Sequence, residues 1–332
     1  MTNTRFDVVG IGNAIVDIIG RCTDDFLVRH GALKGHMRLV DAETVDSLYR
    51  AMGPAVEVSG GSVANTMVGI ASLGGRAAFI GKVAADEFGQ IFAHDIRAAG
   101  VHFDTAASSS GIPTARCLIL VTPDGERTMN TYLGISPDLN GGEVDPEVIR
   151  SAGIVYLEGY LFDRPEAKAA FRQAAQIAAQ AGRKVALSLS DGFCVDRHRQ
   201  EFLDLVKNSI DILIANEDEI TSLYQVPTFE EAARLAQADT HLAVLTRSEK
   251  GSVICVQGQE PIAIPATLVN ELVDATGAGD LYAAGFLFGL ARGCSLEQAG
   301  RLGSMAAAEV ISHFGARPQV KLADLARSNG LV

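Results

Sequence analysis

Residues 274–280 read DATGAGD, and the apolar run LYAAGFLFGLA follows directly. Small residues before such a run predict the start of a helix. A helix start exposes unpaired N–H groups, and the macrodipole makes that end electropositive. Glycines let the backbone approach a ligand closely and take positive φ. TGAG is therefore suited to cradle an anion. Asp280 would lie in the first turn, within reach of whatever the amides hold. A carboxylate beside a bound phosphate is repulsive unless it has a task. One such task is to orient a hydroxyl and take its proton as that hydroxyl attacks phosphorus. The same heptapeptide also reads as a tight turn followed by a first-turn charge worth about 0.3–1 kcal/mol.

Competing phosphate motifs are absent. No GxxxxGK[ST] occurs; GRAAFIGKV (75–83) has the wrong spacing and no Ser or Thr. GIGNAI (10–15) lacks the third glycine of a dinucleotide fingerprint, so a nicotinamide oxidoreductase is poorly supported.

The elements that must position Asp280 come from a chain of 332 residues, 48% hydrophobic and 20% charged, which can bury a substantial core. Net charge is 28 − 40 = −12, with no basic run, which argues against a nucleic-acid partner. The N-terminus MTNTRFDVVG shows no charged-then-apolar leader, and no apolar stretch reaches membrane-spanning length. The five cysteines are scattered, without a CxxC pair, and the seven histidines lack ligand spacing. These features predict reduced packing cysteines, no zinc site and a cytoplasmic location.

FDVVGIG reads as a buried strand and IVDII (15–19) as a strand carrying a charge. Helical patterns cover 43–52, 62–75 and 86–99, with a strand at 77–83. TARCLILVT, PDG and ERTMNTYL (114–133) predict a β-hairpin. From 151 the pattern alternates: strands SAGIVYLEG, KVALSLSD, DILIAN and LAVLTR, with helices at 165–181, 197–208 and 217–224. Helices over 278–292 and 295–313 close the chain. Alternation predicts βαβ units and a doubly wound, mostly parallel α/β sheet. The strand at 15–19 and the hairpin fit such a core poorly and predict a small separate lid. The expected division is 1–14, 42–112 and 136–332 for the core, and 15–41 with 113–135 for the lid.

GNAIVD (12–17), SGGSVAN (59–65), GKVAADEFG (81–89), NEDE (216–219) and DATGAGD occur together along roughly residues 6–318. This set resembles the ribokinase-like (PfkB) family of sugar and nucleoside kinases. The resemblance implies a Rossmann-like core with a β-sheet lid, and ATP-dependent phosphorylation of a hydroxymethyl group. It makes Asp280 the catalytic base and the amides of Gly277, Ala278 and Gly279 the anion hole. Asp17 matches the substrate aspartate, and a carboxylate inside IVDII is costly to bury without donors. Gly60, Gly61, Ser62 and Asn65 fall in the diglycine segment that closes on the sugar. Asn216 and Glu219 match the N-x-x-E motif tied to Mg²⁺ and phosphates, with Glu219 acting through water; plain helix capping explains the same residues. Thr246 and Gly251 match a nucleotide-contacting segment, here TRSEKG, in which Ser248 replaces the usual first glycine.

Three stretches are more similar to the adenosine kinases of this family than to its ribokinases. They are GNAIVDI (12–18) with Asn13, GALKGHMRLVD (31–41), and DGERTMNTYLG (124–134), whose Arg127 would approach the transferred phosphate. Met37, Met129 and Tyr160 or Phe162 would wall a purine. The implied ligands are adenosine, ATP and Mg²⁺, with K⁺ near 274–276 as in many relatives, and a monomer is favoured over a homodimer. The alternatives are a sugar kinase, a kinase of another nucleoside, or a non-catalytic nucleoside-binding protein on the same fold.

Overall fold

The structure is a computed structural model that describes residues 4–332; residues 1–3 of the expected core segment lie outside the described residues. The chain opens with β1 (Phe6–Ile11), β2 (Ile15–Arg21), α1 (Asp24–Arg29), β3 (Met37–Leu39) and α2 (Ala42–Ala51). Next come β4 (Ala55–Gly60), α3 (Ser62–Ser72), β5 (Ala77–Ile80), α4 (Glu87–Ala98) and the hairpin of β6 (Ala115–Val121) and β7 (Arg127–Tyr132). Helices and strands then alternate through α5 (Pro146–Arg150), β8 (Ala152–Glu158), α6 (Pro165–Gln180), β9 (Lys184–Ser188), α7 (Gly192–Asn208) and β10 (Ile212–Asn216). α8 (Glu217–Tyr224), α9 (Phe229–Asp239), β11 (Leu242–Thr246), β12 (Ser252–Val256) and β13 (Ile262–Ile264) follow. The last helices are α10 (Ala278–Ala291), α11 (Leu296–Val310) and α12 (Leu322–Ser328).

The large sheet has the order β13-β12-β11-β10-β9-β8-β1-β5. It is parallel from β11 to β5, while β12 and β13 run antiparallel at the edge. Each central strand feeds two cores by simple alternation. In β8, Ile154 and Tyr156 enter one core while Val155 and Leu157 enter the other. In β10, Ile212 and Ile214 oppose Leu213 and Ala215 in the same way. Continuous burial explains why these runs lack a polar face.

α10 is buried on nearly its whole circumference, as an apolar helix without a polar face must be. It lies between α3 and α11. Glycines permit that approach: a Cβ on Gly69 would meet Ala284 Cβ at 2.6 Å, and one on Gly285 would meet the backbone of Leu302 and Gly303 at 2.5 Å. The first turn of α10 is thereby held beside α3.

The second sheet has the order β3-β7-β6-β2-β4. β2 and β6 pair in parallel, β6 and β7 form the expected hairpin, and β3 pairs with β7 so that Met37 lies opposite Met129. One correction concerns 42–112, placed wholly with the core from the sequence. β4 belongs to the small sheet, paired antiparallel to β2, with Ile15 opposite Gly60. AVEVSG is short and half-polar because it is an edge strand with one neighbour, which is why its pattern is faint. α2 also packs on this sheet, against β6 and β7. A second correction concerns KVALSLSD. The strand stops at Ser188, and Asp191 caps α7 by accepting a hydrogen bond from Cys194 N at 2.6 Å. α7 therefore begins at Gly192 rather than 197, with non-helical φ/ψ at His198 marking the kink.

Gly285→Ala tests the helix packing. Helix propensity alone would favour Ala by about 1 kcal/mol, but overpacking against backbone should cost about 1–3 kcal/mol more than that gain. Urea denaturation should show a lower midpoint; a higher one would contradict the close approach of α10 to α11.

Candidate active site

A cavity of about 640 Å³ lies at the carboxyl ends of β8, β9, β10 and β11, roofed by β2, β3 and β7 of the small sheet. Open α/β sheets bind ligands where strand order reverses, here between β8 and β1. Asn13 and Glu158 meet across that point. Asn13 donates from its backbone N and from Nδ2 to Glu158 Oε1, at 3.2 and 2.7 Å. Val63 N donates to Glu158 Oε2 at 3.1 Å. Asn13 Oδ1 accepts from Ser136 Oγ at 2.8 Å, which fixes the amide's orientation. Burial pushes Glu158 up to about 7, against the pull of these donors.

Asp280 stands in the first turn of α10, as its sequence position predicts. Two side chains of α3 hold it: Ser62 Oγ donates to Oδ1 at 2.6 Å and Asn65 Nδ2 to Oδ2 at 3.1 Å. Thr66 Oγ1 donates to its carbonyl at 3.1 Å. Burial raises its pKa, and the two donors and Arg317 oppose that rise. Gly277 caps the helix at φ 79°, and a Cβ there would meet Ala316 Cα at 2.8 Å. A Cβ on Gly279 would meet nothing within 4 Å, so that glycine leaves open space at the helix mouth. Ala278 N donates to Ala275 O at 3.2 Å, so its amide is turned into the loop. By helix geometry, the amides of Gly279 and Asp280 precede the first intrahelical bond. The cradle thus fits an anion through fewer amides than its three small residues suggest.

Asn13, Met37, Ser62, Met129 and Tyr160 line the cavity, as do Asn216, Glu219 and Thr246. Gly277, Ala278, Gly279 and Asp280 complete one wall. Asn216 and Glu219 form a full capping box at the start of α8, with Asn216 N and Nδ2 donating to the Glu219 carboxylate at 3.0 and 2.7 Å. Burial pushes Glu219 up to about 7. Each Glu219 oxygen thus accepts one hydrogen bond from Asn216. Among the described residues no group of three or more His, Cys, Asp or Glu is arranged to hold a metal.

Asp17, Gly60, Gly61 and Asn65 sit just behind this lining. Gly60 lies under the Asp17 carboxylate, where any Cβ would collide. Gly61, at φ 101°, starts α3. Asp17 makes no hydrogen bond among the described residues. Burial pushes it up to about 7, and the charges of Arg317 and Arg127 oppose that rise. Asn65 Oδ1 is likewise buried without a partner.

Three expected contacts fall elsewhere. Arg127 is not in the cavity lining; it forms a buried ion pair with Asp274 at 2.7 Å. Asp274 also accepts from Thr276 N and Oγ1 and from Gly315 N, at 3.1, 2.7 and 3.0 Å. Both Asp274 oxygens, in the loop where K⁺ was expected, are thus engaged by protein donors. Gly251 serves a turn instead: at φ 85° it packs against Ile264 and Pro265. Ser248 beside it takes φ 50°, the left-handed conformation a glycine would adopt without strain. Phe162 stacks on Phe202 with centroids 4.6 Å apart, inside the lower core. Sequence reasoning missed Glu158, Phe193 and Arg317. Phe193 lines the cavity and is 77% exposed, because α7 starts early. A glutamate ending an otherwise apolar strand was the available signal for Glu158.

The sequence pattern of the pfkB family carbohydrate kinases matches residues 41–322. The chain belongs to that family. A probable sugar kinase from Rhizobium etli CFN 42 is 51% identical, with TM-score 0.92 over 99% of this chain and 100% of that one. An adenosine kinase from Sinorhizobium meliloti is 52% identical, with TM-score 0.90 over 98% and 99% of the two chains. The probable fructokinase-6, chloroplastic, of Arabidopsis thaliana is 32% identical over 277 residues, 80% of this chain and 71% of that protein. The pfkB kinases are phosphotransferases that act on hydroxyls of sugars and nucleosides and use ATP as co-substrate. No helix is long and apolar enough to cross a membrane among the described residues.

Two outcomes are expected of the buried acids. Glu158→Gln turns an amide NH₂ toward Val63 N–H or Asn13, and should cost about 1–3 kcal/mol in chemical denaturation; an unchanged stability would show that the three donors find other acceptors. The second concerns pH. Burial pushes Asp17, Glu158 and Glu219 up to about 7, above the ordinary carboxylate range. A raised folded pKa contributes stability that is complete below the unfolded value and lost as pH rises through the folded one. At fixed ionic strength the melting temperature should therefore fall between pH 5 and pH 8. A flat profile would mean that these carboxyls are ionised throughout.

Proposed function

We propose that this kinase transfers the γ-phosphoryl group of ATP to the 5′-hydroxyl of adenosine, giving AMP and ADP. The observation that carries this reading is a pair of unmet acceptors beside an apolar slot. Asp17 lacks a hydrogen-bond donor and Asn65 Oδ1 is an orphan, so both suit the vicinal hydroxyls of a ribose. Met37, Met129, Tyr160 and Phe193 give the adjoining wall the flat apolar surface that a purine needs. The whole-chain likeness to the Sinorhizobium adenosine kinase supports the same acceptor.

In this reading Asp280 accepts the 5′-hydroxyl proton while the oxygen bonds to the γ-phosphorus. The bond from that phosphorus to the β–γ bridging oxygen breaks, and ADP leaves with the electron pair. Positioning and charge neutralisation carry most of the acceleration. Ser62 and Asn65 aim the Asp280 carboxylate. The first-turn amides of α10 face the charge that develops on the phosphoryl oxygens. Mg²⁺, when bound to the nucleotide, would neutralise phosphate charge, with Asn216 and Glu219 placed to meet its waters. Arg127 contributes by holding Asp274 and hence the loop that enters the cradle. Lid closure by the small sheet would exclude water.

A sugar kinase is the second reading, and the likeness to the Rhizobium protein and to fructokinase-6 favours it. ADP release from ATP and Mg²⁺ separates the two when adenosine, inosine, guanosine, ribose and fructose are offered singly. Turnover with adenosine alone is expected; turnover with ribose or fructose instead would discard the purine wall while keeping Asp280. Asp280→Asn should lower kcat by about 10²–10⁴, and near-normal turnover would remove Asp280 as the base.

A further inference from the structure

The segment 311–320, which follows α11, wraps the cradle from outside. Val273 N donates to Ile311 O at 2.9 Å, Gly315 N to Asp274 at 3.0 Å, and Ala316 backs Gly277. Glu309 Oε1 anchors the far end by accepting from Gln319 N at 2.9 Å. Arg317 projects from this segment to the joint between the sheets. Its Nη2 donates to Ser59 O, and to Ser59 Oγ at 2.9 Å. Ser59 in turn donates from N and Oγ to Asp95 on α4, at 2.8 and 2.6 Å. Ser59 immediately precedes Gly60, which lies under Asp17, and Gly61, which starts the helix that holds Asp280.

We propose that Arg317 is a positioning residue for phosphoryl transfer: it fixes the joint at Ser59 and sets a cation next to the turn that carries Gly60 under Asp17 and starts the helix holding Asp280. The proposal rests on the phosphotransfer reading of this cavity. A neutral donor could satisfy Ser59, so hydrogen bonding alone does not call for a guanidinium here. Burial lowers the Arg317 pKa to about 10, and the surrounding carboxylates of Asp95, Asp17 and Asp280 oppose that loss of charge. The charged surroundings are mixed. Asp17 faces Arg317, Arg127, Asp280 and the Cys117 thiol of β6. Asp280 faces Arg317 and its two donors on α3, and Glu158, Tyr156 and Tyr160 feel its charge. Of the two arginines near Asp17, Arg127 also faces Asp274 at 2.7 Å, and its guanidinium nitrogens are buried without a hydrogen-bond partner.

Arg317→Gln keeps a donor for Ser59 and removes the charge; Arg317→Lys keeps the charge. The first measurement needs no acceptor. Melting temperatures of the unliganded parent, R317Q and R317K are taken at pH 5.5 and 8.0. R317Q should lose about 3–5 °C more than the parent across that interval, because two buried carboxylates must then ionise without their cation. R317K should track the parent. An equal loss at both pH values would make Arg317 a packing residue and overturn the proposal. The second measurement is kcat/KM against pH, with whichever acceptor the parent turns over. The acid limb should move up by about one pH unit in R317Q and return in R317K. An unmoved limb would also overturn it. If the parent turns over no acceptor, the phosphotransfer reading fails, while the melting comparison still decides the charge role. Should R317Q not accumulate, the double variant R317Q/D17N removes the cation with its partner. Recovery of folding supports the proposal, and failure to recover counts against it.

Discussion

Four carboxylates must share one desolvated cleft, and most of the site's architecture answers that requirement. Asp17, Glu158, Glu219 and Asp280 each lose hydration on folding, and burial is the leading cause of every upward shift among them. The compensation is unequal. Glu158 receives three N–H groups, Glu219 closes a capping box, and Asp280 has two side-chain donors. Asp17 relies on nearby cations alone. Glu158 and Glu219 are structural anchors tied to backbone amides. The last two retain unused capacity, and they lie on the side where a ligand's hydroxyls would enter.

Helix ends supply the other half of the electrostatic balance. α3, α7, α8 and α10 all begin at the cavity, through Ser62, Asp191, Asn216 and Gly277. Four electropositive ends converging on one space favour an anionic ligand without any lysine in the lining. Local capping by Asp191 and Asn216 spends part of this capacity on the helices themselves. α3 and α10 lack such caps, because each begins at a glycine with no side chain to offer.

How much of this was legible in the sequence depended on the range of the interactions. The parallel core was readable because buried strands such as β8 and β10 are short apolar runs between amphipathic helices. Asp280 was readable because glycines before a helix have a local conformational meaning. β4 was not, since an edge strand with exposed Ala55 and Val56 carries no periodic signal. Arg127 was linked to a phosphate through the likeness of its hairpin, and its ion pair with Asp274, 147 positions away, is one that no local pattern announces. Phe162 was expected at the cleft but packs on Phe202, while an α7 that begins five residues early brings Phe193 there instead. Arg317 lay outside every motif, and only the path of the chain after α11 brings it to Ser59.

That path fixes when the site can exist. Gly277 is backed by Ala316, Asp274 is held by Gly315, and Ser59 is held by Arg317, so the cradle borrows its support from the segment that follows α11. A nascent polypeptide emerging from the ribosome can fold β1 to β11 as they appear, since domains form as sequence becomes available. It cannot brace the cradle at the start of α10 until residues 315–317 have been made. Interruption of the chain shortly before Gly315 would therefore leave the sheet without the three contacts that support its cradle.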